Sequence, residues 1–216
     1  MITPVTIANA ALRTIGAQAI TSLDDSSDRA FDVSQYYTMS LEAFLSEFNW
    51  SFATREASLP RINTKAIGLN GTTIEENISN EYSYGFTLPS DFLRLTKFTR
   101  PCHKLEYVIR LYREQLALFC NVNEVSIVYI SNNISYDSMS AHAVEAITFR
   151  LAMFLDSARN GGANIQLLND MYQGVLRSAI NMEPSTHDRK YLDEGNINRA
   201  RREGCIYEFA KYRPKD

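Results

Sequence analysis

Metal-binding and redox residue types are scarce. The 216 residues include three histidines and three cysteines. His103, His142 and His187 form no HxH, HExxH or HxxxH pair, so the spacing offers no zinc site. Cys102, Cys120 and Cys205 are odd in number and lack CxxC spacing, which argues against a disulfide framework and for reduced thiols. Long apolar runs are also missing. The longest helical stretch, from Ala143 to Leu155, is interrupted by Glu145 and Arg150, so no membrane span is expected. The first residues, MITPVTIANAALRTIG, lack a basic segment followed by a continuous apolar one, so a secretory signal is not expected either. Without that signal the sequons at Asn77 and Asn133 carry no meaning.

Signatures of catalysis are equally sparse. There is no GxSxG, GxxxxGK[ST] or GxGxxG. Cys102 and His103 are adjacent in sequence, whereas a nucleophile and its base must oppose each other in space. Asp24-Asp25 and Glu75-Glu76 are carboxylate pairs of the kind polar turns supply, and His142 reads as a surface or capping residue near a helix start. We therefore expect no enzyme, no catalytic residue, no metal and no cofactor. Net charge is −3, which provides no global basic field for nucleic acid.

What is present is an ordinary globular composition, 45% hydrophobic and 22% charged, in a length that suits one domain or one core with an inserted piece. Hydrophobic period divides it. Thr3 and Pro4 can start a helix whose apolar face is Val5, Ala8, Leu12 and Ile15, with Gly16 as its left-handed end. Ser26, Ser27 or Asp28 can cap a second helix carrying Ala30, Val33, Tyr37, Leu41, Phe44 and Phe48, with Trp50 and Phe52 as anchors at its exit. Beyond Leu59-Pro60 the period falls to two. Asn70-Gly71 marks a hairpin turn; Tyr82 to Leu88, Leu105 to Leu111 and Val125 to Tyr129 read as strands, and Gln115 to Cys120 fits either strand or short helix. Helical period returns near Asp137 with Val144, Ile147, Leu151, Phe154 and Ala158. Gly161-Gly162 breaks it, and a last stripe follows: Ile165, Leu168, Tyr172, Val175 and Ala179.

The expected fold is α+β and mainly α. A four-helix bundle-like domain is built from residues 1–59 and 135–183. A β-rich subdomain, 60–134, is inserted between helices two and three, and 184–216 is an extended C-terminal arm. The arm lacks an amphipathic stripe. It carries eight Lys/Arg and six Asp/Glu, against 14 and 19 in the rest of the chain, so the sign of charge reverses without becoming polybasic. Its spaced aromatics and arginines are typical of interface anchors: Arg199, Arg201, Arg202, Tyr207, Phe209, Tyr212 and Arg213. Arg199 to Arg202 could also contact phosphate, but Glu194 and Glu203 flank them, which favours a protein partner.

Several co-linear segments resemble a known family. They are Ala11-Leu12 with Ile15-Gly16, Leu23-Asp24-Asp25, Asn49-Trp50 with Phe52-Ala53 and Arg55, and Leu88-Pro89 with Asp91 to Leu95. The run VSIVYIS precedes a helix AVEAITFRLAMFLDSA. Their order and spacing over residues 5 to 180 resemble the phage tail tubular protein A family, the head-to-tail adaptors of short-tailed phages. The resemblance implies a structural virion protein of the phage neck, assembled in the host cytoplasm. It implies a homo-oligomeric ring, usually dodecameric, that joins the portal protein to the tail nozzle and continues the DNA channel. It also makes the portal the expected partner of the arm. DNA would pass the lumen without sequence-specific binding, and net negative charge suits such passage because strong phosphate contacts would retard it. The alternatives are a phage-encoded cell-wall hydrolase and a small nucleic-acid-binding protein.

Overall fold

The computed structural model describes residues 2–62, 65–67, 73–75, 81–99 and 105–183. The chain is a mixed α+β protein that forms two compact units. One takes in the described residues of Met1–Thr54 and Ile130–Asp188, the other those of Arg55–Tyr129.

The first unit holds four helices. Helix α1, Pro4–Thr14, opens with a reciprocal cap: the Thr6 N–H donates to Thr3 Oγ1 at 3.2 Å, and the Thr3 N–H donates to Thr6 Oγ1 at 2.8 Å. Gly16 follows its end at φ +76°, the left-handed geometry expected of it. Helix α2, Asp28–Glu47, is capped by Ser27 and buries Ala30, Val33, Tyr37, Leu41 and Phe44 as its stripe requires. Phe48 stays half-buried and meets the Trp50 ring edge-on. Trp50 is fully buried, stacked on Phe44 at 4.5 Å, and its indole N–H donates to the Phe44 carbonyl at 3.1 Å. One aromatic thus fixes the direction in which the chain leaves α2.

Helix α3, Ala141–Asn160, starts later than the sequence suggested. A short 3-10 turn occupies Tyr136–Ser138, and Ser140 is the cap. Its buried face is Ala143, Ile147, Leu151 and Leu155, rotated from the expected stripe, so that Val144 and Phe154 are half-buried and Ala158 is exposed. Helix α3 packs against α1, α2 and helix α4, Ile165–Met182. The break between α3 and α4 is where the glycines place it. Gly161 and Gly162 have φ +67° and +79°, and the buried Asp156 carboxylate accepts the Asn164 N–H at 2.9 Å and the Asn160 amide at 2.8 Å. These bonds, the Asn164 N–H first, hold the Asp156 pKa below its usual value. At the far end of α4, Glu183 is buried and accepts the Ser51 N–H at 2.7 Å.

Among the described residues, eight strands follow one another between α2 and α3: β1 Thr54–Ser58, β2 Lys65–Ile67, β3 Thr73–Glu75, β4 Tyr84–Thr87, β5 Phe92–Phe98, β6 Tyr107–Tyr112, β7 Gln115–Cys120 and β8 Ser126–Ser131. They make three sheets, ordered β1-β8-β5, β2-β3 and β4-β7-β6. Strands β2 and β3 pair antiparallel, with Lys65 opposite Glu75, and so flank the Asn70-Gly71 dipeptide, itself outside the described residues. The ambiguous segment Gln115 to Cys120 is a strand, and it is central, paired antiparallel with β4 and β6. Strands β1 and β5 were not expected. The core of this unit gathers Leu59, Phe86, Leu88, Leu118, Val125 and Ile127, whose burial removes apolar surface from water on both sides of the alternating strands.

Candidate functional site

Three residues far apart in sequence meet in the helical unit. Glu47 ends α2, Arg150 lies midway along α3, and Tyr172 projects from α4. Arg150 Nη1 donates to Glu47 Oε1 and, at 2.8 Å, to Tyr172 Oη. The Tyr172 hydroxyl donates to Glu47 Oε2 at 2.5 Å. Burial pushes the Tyr172 pKa upward, and the bond to Glu47 adds to the shift because it favours the neutral phenol. Burial alone would lower the Arg150 pKa, but contacts with Tyr172 and Glu47 outweigh it and the net shift is upward. The trio lines an open groove of about 460 Å³, with Met153, Phe154 and Ser157 of α3 and Ile165, Asn169 and Gln173 of α4. Both Glu47 oxygens accept hydrogen bonds, the arginine charge is matched, and the phenol proton is engaged. Such a set fixes three helix segments to one another.

A second polar joint stands in the β-rich unit. The Tyr129 hydroxyl of β8 donates to Asp91 Oδ1 at 3.0 Å, and Arg55 Nη1 of β1 lies 3.7 Å from Asp91 Oδ2. Phe92 stacks on the Tyr129 ring at 5.8 Å. Burial, aided by Asp91, raises the Tyr129 pKa. Asp91 precedes β5, so one carboxylate ties together segments from the three strands of the first sheet.

The residues named from sequence fall as follows. Arg199, Arg201, Arg202, Tyr207, Phe209, Tyr212 and Arg213 lie outside the described residues, as do Cys102, His103, His187 and Cys205. Asp25 serves a turn: its Oδ2 accepts the Thr21 hydroxyl at 2.8 Å and the Thr21 and Ser22 N–H groups, which lowers its pKa. His142 sits on the first turn of α3 with Nδ1 3.9 Å from Glu145. The buried Cys120 thiol has its pKa raised by burial, the opposite of an activated nucleophile. Among the described residues no group of three or more His, Cys, Asp or Glu is placed to hold a metal ion. Nor is any helix among them long and apolar enough to cross a membrane.

Sequence reasoning missed the Glu47–Arg150–Tyr172 trio. Arg150 registered only as an interruption of an apolar stretch, and Tyr172 only as part of a buried stripe. Comparison with known proteins adds no family: no family model matches the chain, and no curated protein matches it.

Proposed function

We propose that this protein is a structural head-to-tail adaptor of a short-tailed phage. In this reading it forms a dodecameric ring that joins the portal to the tail nozzle and continues the DNA channel, and it performs no catalysis. The helices of 1–59 and 135–183 form a four-helix bundle-like body, 60–134 is the β-rich insert, and 184–216 is an arm that reaches the portal.

One observation carries the reading. The segments that resemble the adaptor family are the joints of this fold. Ala11 and Leu12 are buried, and Gly16 turns the chain after α1. Leu23-Asp24-Asp25 is the turn that Asp25 closes. Trp50 and Ala53 are fully buried at the exit of α2. Arg55 and Asp91, which belong to two different resembling segments, meet each other. Residues shared for their architecture fit a protein whose work is assembly.

Removal of residues 184–216 tests the arm. We expect protein truncated after Glu183 to fold, because the Glu183–Ser51 bond is retained, and to lose attachment to portal-bearing heads. Attachment equal to that of the full-length chain would overturn the arm's role. Cell-wall clearing by the purified protein, abolished by a single Asp or Glu replacement that preserves folding, would overturn the non-catalytic reading.

A further inference from the structure

The sheet β4-β7-β6 has one covered edge and one open edge. Outside β4, the Ile62 N–H donates to the Gly85 carbonyl at 2.9 Å, and the Thr87 N–H donates to the Pro60 carbonyl at 3.0 Å. Outside β6, no backbone partner stands among the described residues. The turn that joins β6 to β7 fixes which groups are left over. It has two residues, Arg113-Glu114, with φ +47° and +66°, so Tyr112 and Gln115 are its hydrogen-bonded pair. By alternation Arg110 and Val108 also bond to β7, and the N–H and C=O groups of Tyr107, Ile109 and Leu111 point away from the sheet. Leu116, opposite Leu111, turns away from β6 in the same manner and accepts the Leu88 N–H at 3.1 Å.

The open edge is apolar. Ile109 packs on the core beside Leu118, and Tyr107 and Leu111 share its face but are 44% and 71% exposed. The devices that keep an edge strand from pairing are missing. Strand β6 has no Pro, no Lys and no bulge, and its one charge, Arg110, lies on the opposite face, over the Phe119 ring. One segment of this chain has the character of the missing strand. Residues 205–212, CIYEFAKY, lie between Gly204 and Pro214, contain neither type, and are rich in aromatic residues, with Tyr207 and Phe209 on either side of Glu208. They are outside the described residues. Residues 184–204 precede them and can span about 70 Å when extended, so the segment can reach the edge.

Charge selects a register. An antiparallel pairing that sets Phe209 opposite Ile109 also sets Tyr207 opposite Leu111, Lys211 opposite Tyr107 and Glu208 opposite Arg110. A slip of two residues either way would put Glu208 opposite Val108 or Tyr112 instead. Arg110 bonds Glu81 at 2.7 Å and, half-exposed, has further N–H groups to offer. We propose that in the free protein residues 205–212 pair antiparallel with β6 of the same copy and close the open edge, in the register that joins Glu208 to Arg110. Attachment within one chain keeps the local concentration of the segment high. The contact does not depend on the adaptor reading. Tyr207 and Phe209 cannot serve this edge and a portal at once, so in an adaptor the portal would displace the segment.

Amide hydrogen exchange, resolved by residue on the dilute full-length chain, tests it. The Tyr107, Ile109 and Leu111 amides should exchange at least about tenfold more slowly in the parent protein than in a Phe209→Asp variant. The Val108, Arg110 and Tyr112 amides, bonded to β7, should behave alike in both, which separates loss of the added strand from loss of the fold. Glu208→Lys, which sets a like charge opposite Arg110, should release the same three outer amides in part. Equal exchange of the outer amides in the parent protein and Phe209→Asp would overturn the contact. Unchanged protection in Glu208→Lys would overturn the register. Protection that grows with protein concentration would overturn the same-copy pairing and assign the edge to a second copy. Attachment to portal-bearing heads is a separate readout: if the parent protein does not attach while the exchange difference holds, the adaptor reading fails and this contact stands.

Discussion

Asp156 shows how one side chain can hold a corner of the fold. It is buried where α3 ends, and its oxygens accept from Asn160 and Asn164 while the chain reverses through two left-handed glycines. Its folded pKa lies below the unfolded value of about 3.9, so the ionised form is the one the fold favours. The stability it contributes is fully present above that value and disappears as pH falls through the folded pKa. Acid unfolding followed by circular dichroism should therefore be less steep for Asp156→Asn than for the parent protein. At neutral pH that variant should be about 1–3 kcal/mol less stable, because an NH₂ donor replaces one of the two oxygens that accept from Asn160 and Asn164. Equal acid profiles would contradict this role. Tyr172 works in the opposite direction: its raised pKa makes the stability it contributes complete below about 10 and lost as pH rises beyond that. Gly161-Gly162 announced this corner in the sequence, but Asp156 did not. A lone carboxylate in an amphipathic helix reads as a solvated one until the chain beyond the break folds over it.

At the scale of elements, stripes and caps carried the helices. Thr3, Ser27, Gly16 and the Gly161-Gly162 pair all act where local chemistry put them. The start of α3 was misplaced because Tyr136–Ser138 forms a separate 3-10 turn, and its stripe was misphased because Ala143, Ala146 and Ala152 belong to the buried face beside Ile147, Leu151 and Leu155. Strand β1 escaped notice because TREAS is polar and only partly covered, and β5 because every one of its residues is partly or fully exposed, which blurs the period of two. The trio of Glu47, Arg150 and Tyr172 was illegible for a simpler reason: each comes from a different helix, and only packing brings them together. Phe44→Ala and Leu151→Ala, at positions with no exposed surface, should each cost about 2–5 kcal/mol in denaturant unfolding. Tyr172→Phe should cost less, about 1–3 kcal/mol, since it keeps the ring in place while depriving Glu47 of one donor and Arg150 of one acceptor. A larger loss for Tyr172→Phe than for Leu151→Ala would mean that the polar trio, not the apolar face, dominates the helical unit.

For the whole molecule, the adaptor reading rests on a chain whose family-like segments are turns, anchors and joints. The proposed adaptor would act by its position within an assembly, so the decisive question is where it sits. The most direct measurement is electron cryomicroscopy of portal-bearing heads before and after addition of the purified full-length chain. The account predicts a new ring of density below the portal, about twelve copies around a continuous channel. Heads that gain no density at the portal, or that carry the chain elsewhere on the particle, would contradict it.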